Sequence, residues 1–209
     1  MLLRVHRFLP LTKVEGPGRR ACLWVQGCPI RCKGCAVPWT WSAAGGEEVD
    51  VADLADLILG GPEIEGVTFL GGEPFEQAGA LAELGQTLQN AGLSVMTFTG
   101  YLLEDLDRPE RPECQRLIRV TDLLVDGPFM EDLVDLSRPW VGSSNQRYHF
   151  LTGRYRKLES RLAEIPNRVE VRVLPTGEVW INGMIDSVDL LALTESMNPS
   201  IRQVMGMSQ

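Results

Sequence analysis

Apolar and polar positions along the chain fall into blocks that predict strands separated by helix-length segments. Ala21 to Gln26 is an apolar run that reads as a first strand. Asp50 stands as an N-cap before Val51, Leu54, Ala55, Ile58 and Leu59, whose spacing predicts a helix ending at Gly60-Gly61-Pro62. Val67 to Leu70 is a short apolar run bounded by glycine, as expected for a buried strand. A second helix is predicted over roughly Gln77 to Ala91, with Leu81, Leu84 and Leu88 on one face and Gly92 as its stop. Ser94 to Thr99 and Leu123 to Val125 read as a third and a fourth strand. Strands alternating with helices predict parallel βα units with right-handed crossovers.

The C-terminal third changes period. Arg154 to Glu164 reads as a helix stopped by Pro166. Val169, Val171 and Val173 then alternate with Glu170 and Arg172, Pro175-Thr176-Gly177 supplies a turn, and Val179 and Ile181 alternate again. This is an antiparallel hairpin. A short helix from Ser187 and a mobile, methionine-rich end are expected, with Met184, Met197, Met205 and Met207 taken as packing or tail.

At 209 residues the chain reads as one domain, residues 1–165 forming the core and 166–209 a hairpin and tail packed on it. No apolar run approaches ~18 residues, so a membrane-spanning helix is not expected. Arg4, His6 and Arg7 interrupt the apolar N-terminus, which therefore lacks the core of a secretory signal, and the reading is cytoplasmic. A net charge of −8, with no basic run longer than Arg19-Arg20, disfavours nucleic acid. Only two histidines occur, His6 and His149, which argues against a histidine-built metal site or a Ser/His/Asp triad.

The chemistry lies in the cysteines. Of five, Cys28, Cys32 and Cys35 share one short loop with the spacing C-x3-C-x2-C. Clustering within eight residues favours metal over disulfides. A [4Fe–4S] cube normally takes four thiolates, so three leave one iron open to an outside molecule. A structural zinc site would need Cys22 or a histidine as fourth ligand, and a closed electron-transfer cluster would need a fourth cysteine. Cys22 falls in an apolar strand and reads as structural; Cys114 falls in a polar, proline-rich segment without a partner motif.

A second motif, Gly71-Gly72-Glu73-Pro74, follows a predicted buried strand. Paired glycines let backbone approach a ligand closely. Glu73 or the strand-end carbonyls could then accept from an ammonium group. Ligands in parallel sheets bind beyond the C-terminal strand ends, which places four motifs on one rim. These are the cysteine loop, the Gly-Gly-Glu-Pro turn, Thr99-Gly100-Tyr101 and Asp126-Gly127-Pro128.

With these residues the chain resembles the radical S-adenosylmethionine (SAM) superfamily. Within it, the likeness is to the activases of glycyl-radical enzymes, especially those serving anaerobic ribonucleoside-triphosphate reductase. Gly16-Pro17-Gly18-Arg19-Arg20, Thr40-Trp41, Thr99-Gly100-Tyr101, Leu124 to Phe129 and Gly142 to Arg147 match activase elements, from about residue 5 to residue 150. Ala36-Val37 stands where activases often carry an aromatic or histidine and then asparagine, and the C-terminal hairpin extends past the compact activase pattern.

The resemblance implies an α/β fold, a partial (β/α) barrel of the radical SAM type with a C-terminal antiparallel β-hairpin extension. It implies a [4Fe–4S] cluster on Cys28, Cys32 and Cys35, with the amino and carboxylate groups of SAM on the fourth iron. Gly71, Gly72 and Glu73 would receive the methionine ammonium, and Gly34 and Ala36 would line the cofactor loop. Asp126 would bind a SAM hydroxyl or line the substrate cavity, its alternative being a solvated turn; Asn145, with Ser143 and Ser144, would contact the cofactor or form a polar loop. Trp39 and Trp41 would cover the cluster or fill core. The reduced cluster would cleave SAM to methionine and a 5′-deoxyadenosyl radical that abstracts hydrogen from a large glycyl-radical-type protein. Flavodoxin or ferredoxin would be the reductant. No catalytic side chain beyond the cluster is expected, because the cofactor carries the hard chemistry. The alternatives are radical SAM chemistry on a small molecule or peptide, and a non-enzymatic iron–sulfur or electron-transfer module.

Overall fold

The computed structural model describes residues 1–196. The expected methionine-rich end, with Met197, Met205 and Met207, lies outside the described residues. Seven strands form one mixed sheet: β1 (Leu2–Thr12), β2 (Arg20–Val25), β3 (Glu47–Asp50), β4 (Gly66–Gly71), β5 (Ser94–Phe98), β6 (Leu123–Asp126) and β7 (Arg147–Phe150). Their order is β3-β1-β2-β4-β5-β6-β7. The predicted strands β2, β4, β5 and β6 are its parallel centre, while β1, β3 and β7 add antiparallel flanks. The order runs from one edge to the other, and no barrel is detected among the described residues. A separate antiparallel hairpin pairs β8 (Val169–Val173) with β9 (Val179–Gly183), as the alternating valines predict.

The central strands are buried on both faces. Ala21, Leu23 and Val25 of β2 join Val67, Phe69, Val95 and Leu124 in the main core. That core is closed by α1 (Val51–Leu59), α2 (Ala78–Asn90) and α4 (Pro112–Arg119), with the short α3 (Leu103–Leu106) before α4. Asp50 caps α1 as expected, accepting from the Ala52 N–H at 2.8 Å. On the opposite face Met96, Leu123 and Val125 pack with Trp140 and Val141, and Cys22 and Trp24 with Leu9.

Two sequence expectations are corrected. The Arg154 to Glu164 helix is two separate turns, α5 (Arg156–Glu159) and a 3-10 turn at Leu162–Glu164, before α6 (Ser187–Ser196) ends the described chain. Its N–H groups bond three residues back, as Arg161 does to Leu158 and Glu164 to Arg161. With few apolar residues to bury, nothing there repays a longer helix. The polar, proline-rich segment that carries Cys114 is the helix α4, begun by Pro112 at a position where proline costs little, and it buries the thiol against the core.

No helix among the described residues is long and apolar enough to cross a membrane.

At the N-terminal ends of the parallel strands a single cation ties the layers. Arg20 is fully buried and donates six hydrogen bonds: to Thr68 Oγ1, the carbonyls of Pro17, Val67 and Ser94, Ser94 Oγ and the Tyr155 hydroxyl. All acceptors are neutral, and they tie Arg20 in β2 to β4, β5 and two connecting segments. An Arg20→Met variant leaves them unpaired and is expected to lose about 3 kcal/mol or more of stability. Urea unfolding measures this as a lowered midpoint at constant m-value. A midpoint equal to wild type would contradict the assigned network.

Candidate metal centre

The parallel strands deliver their C-terminal ends to one rim. β2 runs into Gly27, whose φ of 96° turns the chain out into the cysteine loop. The loop is anchored by backbone: Gly27 N–H donates to Thr40 at 2.8 Å and Cys28 N–H to Trp41 at 3.1 Å. Gly72 N–H reaches Val25 and Glu73 N–H reaches Gly27, both at 2.8 Å, so the end of β4 is laced to the end of β2. This closeness needs glycine. A Cβ on Gly72 would lie 2.3 Å from the Gly27 carbonyl, and one on Gly71 2.6 Å from the Trp24 Cα.

Cys28, Cys32 and Cys35 carry free, half-buried thiols around one cavity of about 140 Å³, whose wall also includes Gly71, Gly72, Glu73, Thr99 and Gly100. Cys35 Sγ accepts from the Val37 N–H at 3.4 Å. Burial pushes the Cys28 and Cys32 thiols up, so binding a metal there would release protons. Cys22 and Cys114 sit in the two core layers and do not line the cavity. The residues therefore fit a group that takes three thiolates and leaves a position for another ligand. Among the described residues no three His, Cys, Asp or Glu side chains gather tightly enough for a single ion. A cube differs in that each thiolate holds its own iron.

Glu73 is the hub of the wall. Its carboxylate is buried and accepts from the Phe75 N–H at 3.0 Å, the Thr99 hydroxyl at 2.8 Å and the Gly100 N–H at 2.9 Å. Burial pushes its pKa up to about 7 despite these donors.

A 4Fe–4S single cluster domain matches residues 14–149. The anaerobic ribonucleoside-triphosphate reductase-activating protein of Vibrio cholerae is 34% identical over 162 residues, 72% of this chain and 99% of its own. That of Escherichia coli K12 is 31% identical over 160 residues, 71% and 99% of the two chains. That of phage T4 is 29% identical over 151 residues, 69% and 92%. The chain belongs to this activating-protein family.

Against that family, the rim brings together Cys28, Cys32, Cys35, Gly71, Gly72 and Glu73 with Thr40, Trp41, Thr99, Gly100 and Gly127, and leaves Gly34, Ala36, Trp39, Asp126 and Asn145 off the cavity wall. Gly34, with φ 74°, lies against the Phe129 ring and the Glu131 carboxylate, and Ala36 is exposed. Asp126 is fully buried, not a solvated turn residue. Its carboxylate accepts from Arg147 (2.9 and 2.5 Å) and the Leu103 N–H (2.8 Å), and lies 3.0 Å from His149 Nε2. Burial pushes this carboxyl up, but the three partners outweigh it and hold it below its usual range. Asn145 donates to the Pro128 carbonyl at 2.7 Å, while its Oδ1 is buried without a partner among the described residues.

Sequence reasoning missed Gln146, which lines the cavity and accepts from the Gly142 and Ser143 N–H groups at 2.8 and 3.2 Å. It is one place beyond Asn145 in the same motif, but a strand-edge glutamine carries no signal of its own. Ile30, Phe98 and Phe129 were missed too, apolar residues whose types say only that they pack.

The burial of Glu73 has a pH consequence. Between pH 4.5 and about 7 the folded chain holds a proton there that the unfolded chain has released. Stability of the metal-free chain should therefore fall as pH rises through that window, by up to about 1.4 kcal/mol per unit from this group. Subtracting the profile of Glu73→Gln isolates the slope in urea unfolding. Parallel profiles for the two chains would refute it.

Proposed function

We propose that this chain is a radical SAM activating enzyme that installs a glycyl radical on a reductase of the kind its relatives are named for. The observation that carries the reading is the shared cavity of three thiols and the Gly71-Gly72-Glu73 turn. Cys28, Cys32 and Cys35 would hold a [4Fe–4S] cluster, and SAM would complete it. When bound, the pair supplies one-electron cleavage of the sulfonium and hence a hydrogen-abstracting 5′-deoxyadenosyl group, with flavodoxin or ferredoxin as the electron source.

The protein's part is placement and exclusion. Gly71 and Gly72 admit the ligand to the backbone, and Glu73, with strand-end carbonyls, accepts from its ammonium. A cation there would draw the Glu73 proton off and strengthen the contact. Gly34 and Ala36 shape the loop. Asp126 and Asn145 are read as acting from behind the wall: Asp126 fixes the β6 end through Leu103 and Arg147, and Asn145 fixes Pro128. In this reading the four parallel strands are the core of a partial (β/α) barrel, within residues 1–165, and residues 166–209 pack on the same domain. Exposed Trp39 and Met130 are chain neighbours of the wall residues Thr40 and Phe129, which supports a protein as the substrate.

Anaerobic reconstitution tests this. The chain with its cluster, reduced in the presence of SAM, should yield 5′-deoxyadenosine, and with the partner reductase a glycyl-radical signal by electron paramagnetic resonance. Cys28→Ala, Cys32→Ala and Cys35→Ala should each lose both, with the visible iron–sulfur absorbance. Intact cluster absorbance without 5′-deoxyadenosine would sink the proposal.

A further inference from the structure

The cluster-domain match ends at residue 149, and a second cleft begins where it ends. The chain beyond it folds back through Leu158, Ile165 and Pro166 into the hairpin β8–β9. This stretch faces the Thr12-to-Gly18 connection between β1 and β2, at the opposite end of the parallel strands from the cysteine loop. Two cavities open between them. One, about 510 Å³, is walled by Thr12, Lys13, Arg168, Glu170 and Arg172. The other, about 240 Å³, is walled by Gly16-Pro17-Gly18, Trp140, Ile165 and Pro166. Lys13, Val14 and Arg168 belong to both, so the two are chambers of one cleft.

The larger chamber reverses the sign of the molecule. The chain carries −8 overall, yet three cations line this chamber against one carboxylate. Glu170 is already committed, accepting from Arg172 at 2.6 Å and from the Thr12 hydroxyl at 2.5 Å. Lys13 and Arg168 make no ion pair or side-chain hydrogen bond among the described residues. Two uncommitted cations therefore stand at the boundary between the chambers.

The smaller chamber is of mixed polarity, with one aromatic wall residue, Trp140, held under constraint. Trp140 sits at φ 63°, a region a bulky side chain rarely occupies. Asn167, from the stretch beyond the family match, holds it there, accepting from the Trp140 N–H at 3.2 Å and donating to the Leu136 and Arg138 carbonyls at 2.6 and 3.1 Å. Across from Trp140, Gly16 and Gly18 have φ of 137° and 77° and bring bare backbone to the wall. A simple anion needs only the charged chamber. A chamber beside it that offers Trp140, Leu158 and Ile165 fits a ligand with a ring system on one end and phosphate on the other, and the larger chamber is within the usual size of small-molecule sites.

We propose that this cleft binds a nucleoside phosphate, with phosphate between Lys13 and Arg168 and the base against Trp140. The site is separate from the cofactor cavity, and its occupancy does not depend on the activase reading. The test is a calorimetric titration of the cluster-loaded chain, without SAM, using nucleoside triphosphates, inorganic triphosphate and adenosine. A nucleoside triphosphate should bind at one site and weaken with added salt, and inorganic triphosphate and adenosine should each bind at least about tenfold more weakly. Lys13→Glu with Arg168→Glu should weaken nucleotide binding by about tenfold or more while leaving cluster absorbance and 5′-deoxyadenosine yield unchanged. Arg168→Gln alone, a milder change at an exposed position, should weaken it in the same direction. No saturable binding at about 1 mM, or equal affinity in wild type and both variants, overturns the site. Inorganic triphosphate binding as tightly as the nucleotide overturns the role of the smaller chamber.

Discussion

The rim depends on backbone packed against backbone. Gly72 and Gly27 touch so closely that no side chain fits between them, and the N–H groups of Gly72 and Glu73 bond to Val25 at the end of β2 and to Gly27 just beyond it. That contact fixes where the cysteine loop leaves the sheet relative to where β4 ends. Glu73, positioned by it, reaches sideways to Thr99 and Gly100 and draws the end of β5 into the same unit. Three strand ends thus hold one another through main-chain and carboxylate hydrogen bonds. A site made this way is rigid where a ligand must be met by main chain, and it leaves the loop bearing Cys28, Cys32 and Cys35 as the one part reaching out to solvent.

Two buried ionisable groups mark the two ends of the parallel sheet, and the contrast between them is instructive. Arg20 at the N-terminal end and Glu73 at the C-terminal end each lack a direct counter-ion, and each is satisfied by neutral partners. A guanidinium cannot shed its charge, so the five N–H groups of Arg20 must share these acceptors and the residue acts as a permanent tie. A carboxylate can, and Glu73 sits near the point where it does, at about 7. The first end is therefore fixed in charge. The second can change charge near neutral pH, which would suit the cationic ligand proposed for this cavity.

How much of this was legible follows the same physics. Strands β2, β4, β5 and β6 are buried on both faces, so their sequences are continuous apolar runs and were read correctly. β1 is the longest strand and was not read at all. Its pairing with β2 slips between Val5 and Arg7, so Leu3 and Val5 face the helices while Leu9 faces the other layer. A bulge breaks the period on which strand reading depends. β7 reads Arg-Tyr-His-Phe, and Arg147 and His149 owe their places to Asp126, a partner remote in sequence. In the site, residues whose type implies chemistry were found, the cysteines and the Gly-Gly-Glu turn. Asp126 was placed on the rim and Asn145 was read as a cofactor contact or a polar loop, but neither lines the cavity, a matter of side-chain direction that spacing does not encode.

The hairpin is joined to this core in a different way. Arg7 lies between the rings of Trp24 and Trp180, 3.9 and 5.5 Å from their centres. Gly183 N–H donates to the buried Glu15 at 2.7 Å and Asn182 to Thr12 at 3.1 Å. Apart from Trp180 these are polar contacts to β1 and the connection after it, and none reaches the helix-side core. What the hairpin does is cover the face where Leu9, Cys22 and Trp24 pack, and its approach is what walls the cleft beside Lys13. Burial of Glu15, which pushes its carboxyl up, is a cost of that docking. A segment that spends buried polar groups to sit over a finished core, and leaves Lys13 and Arg168 unpaired in doing so, is better explained by a ligand between them than by stability.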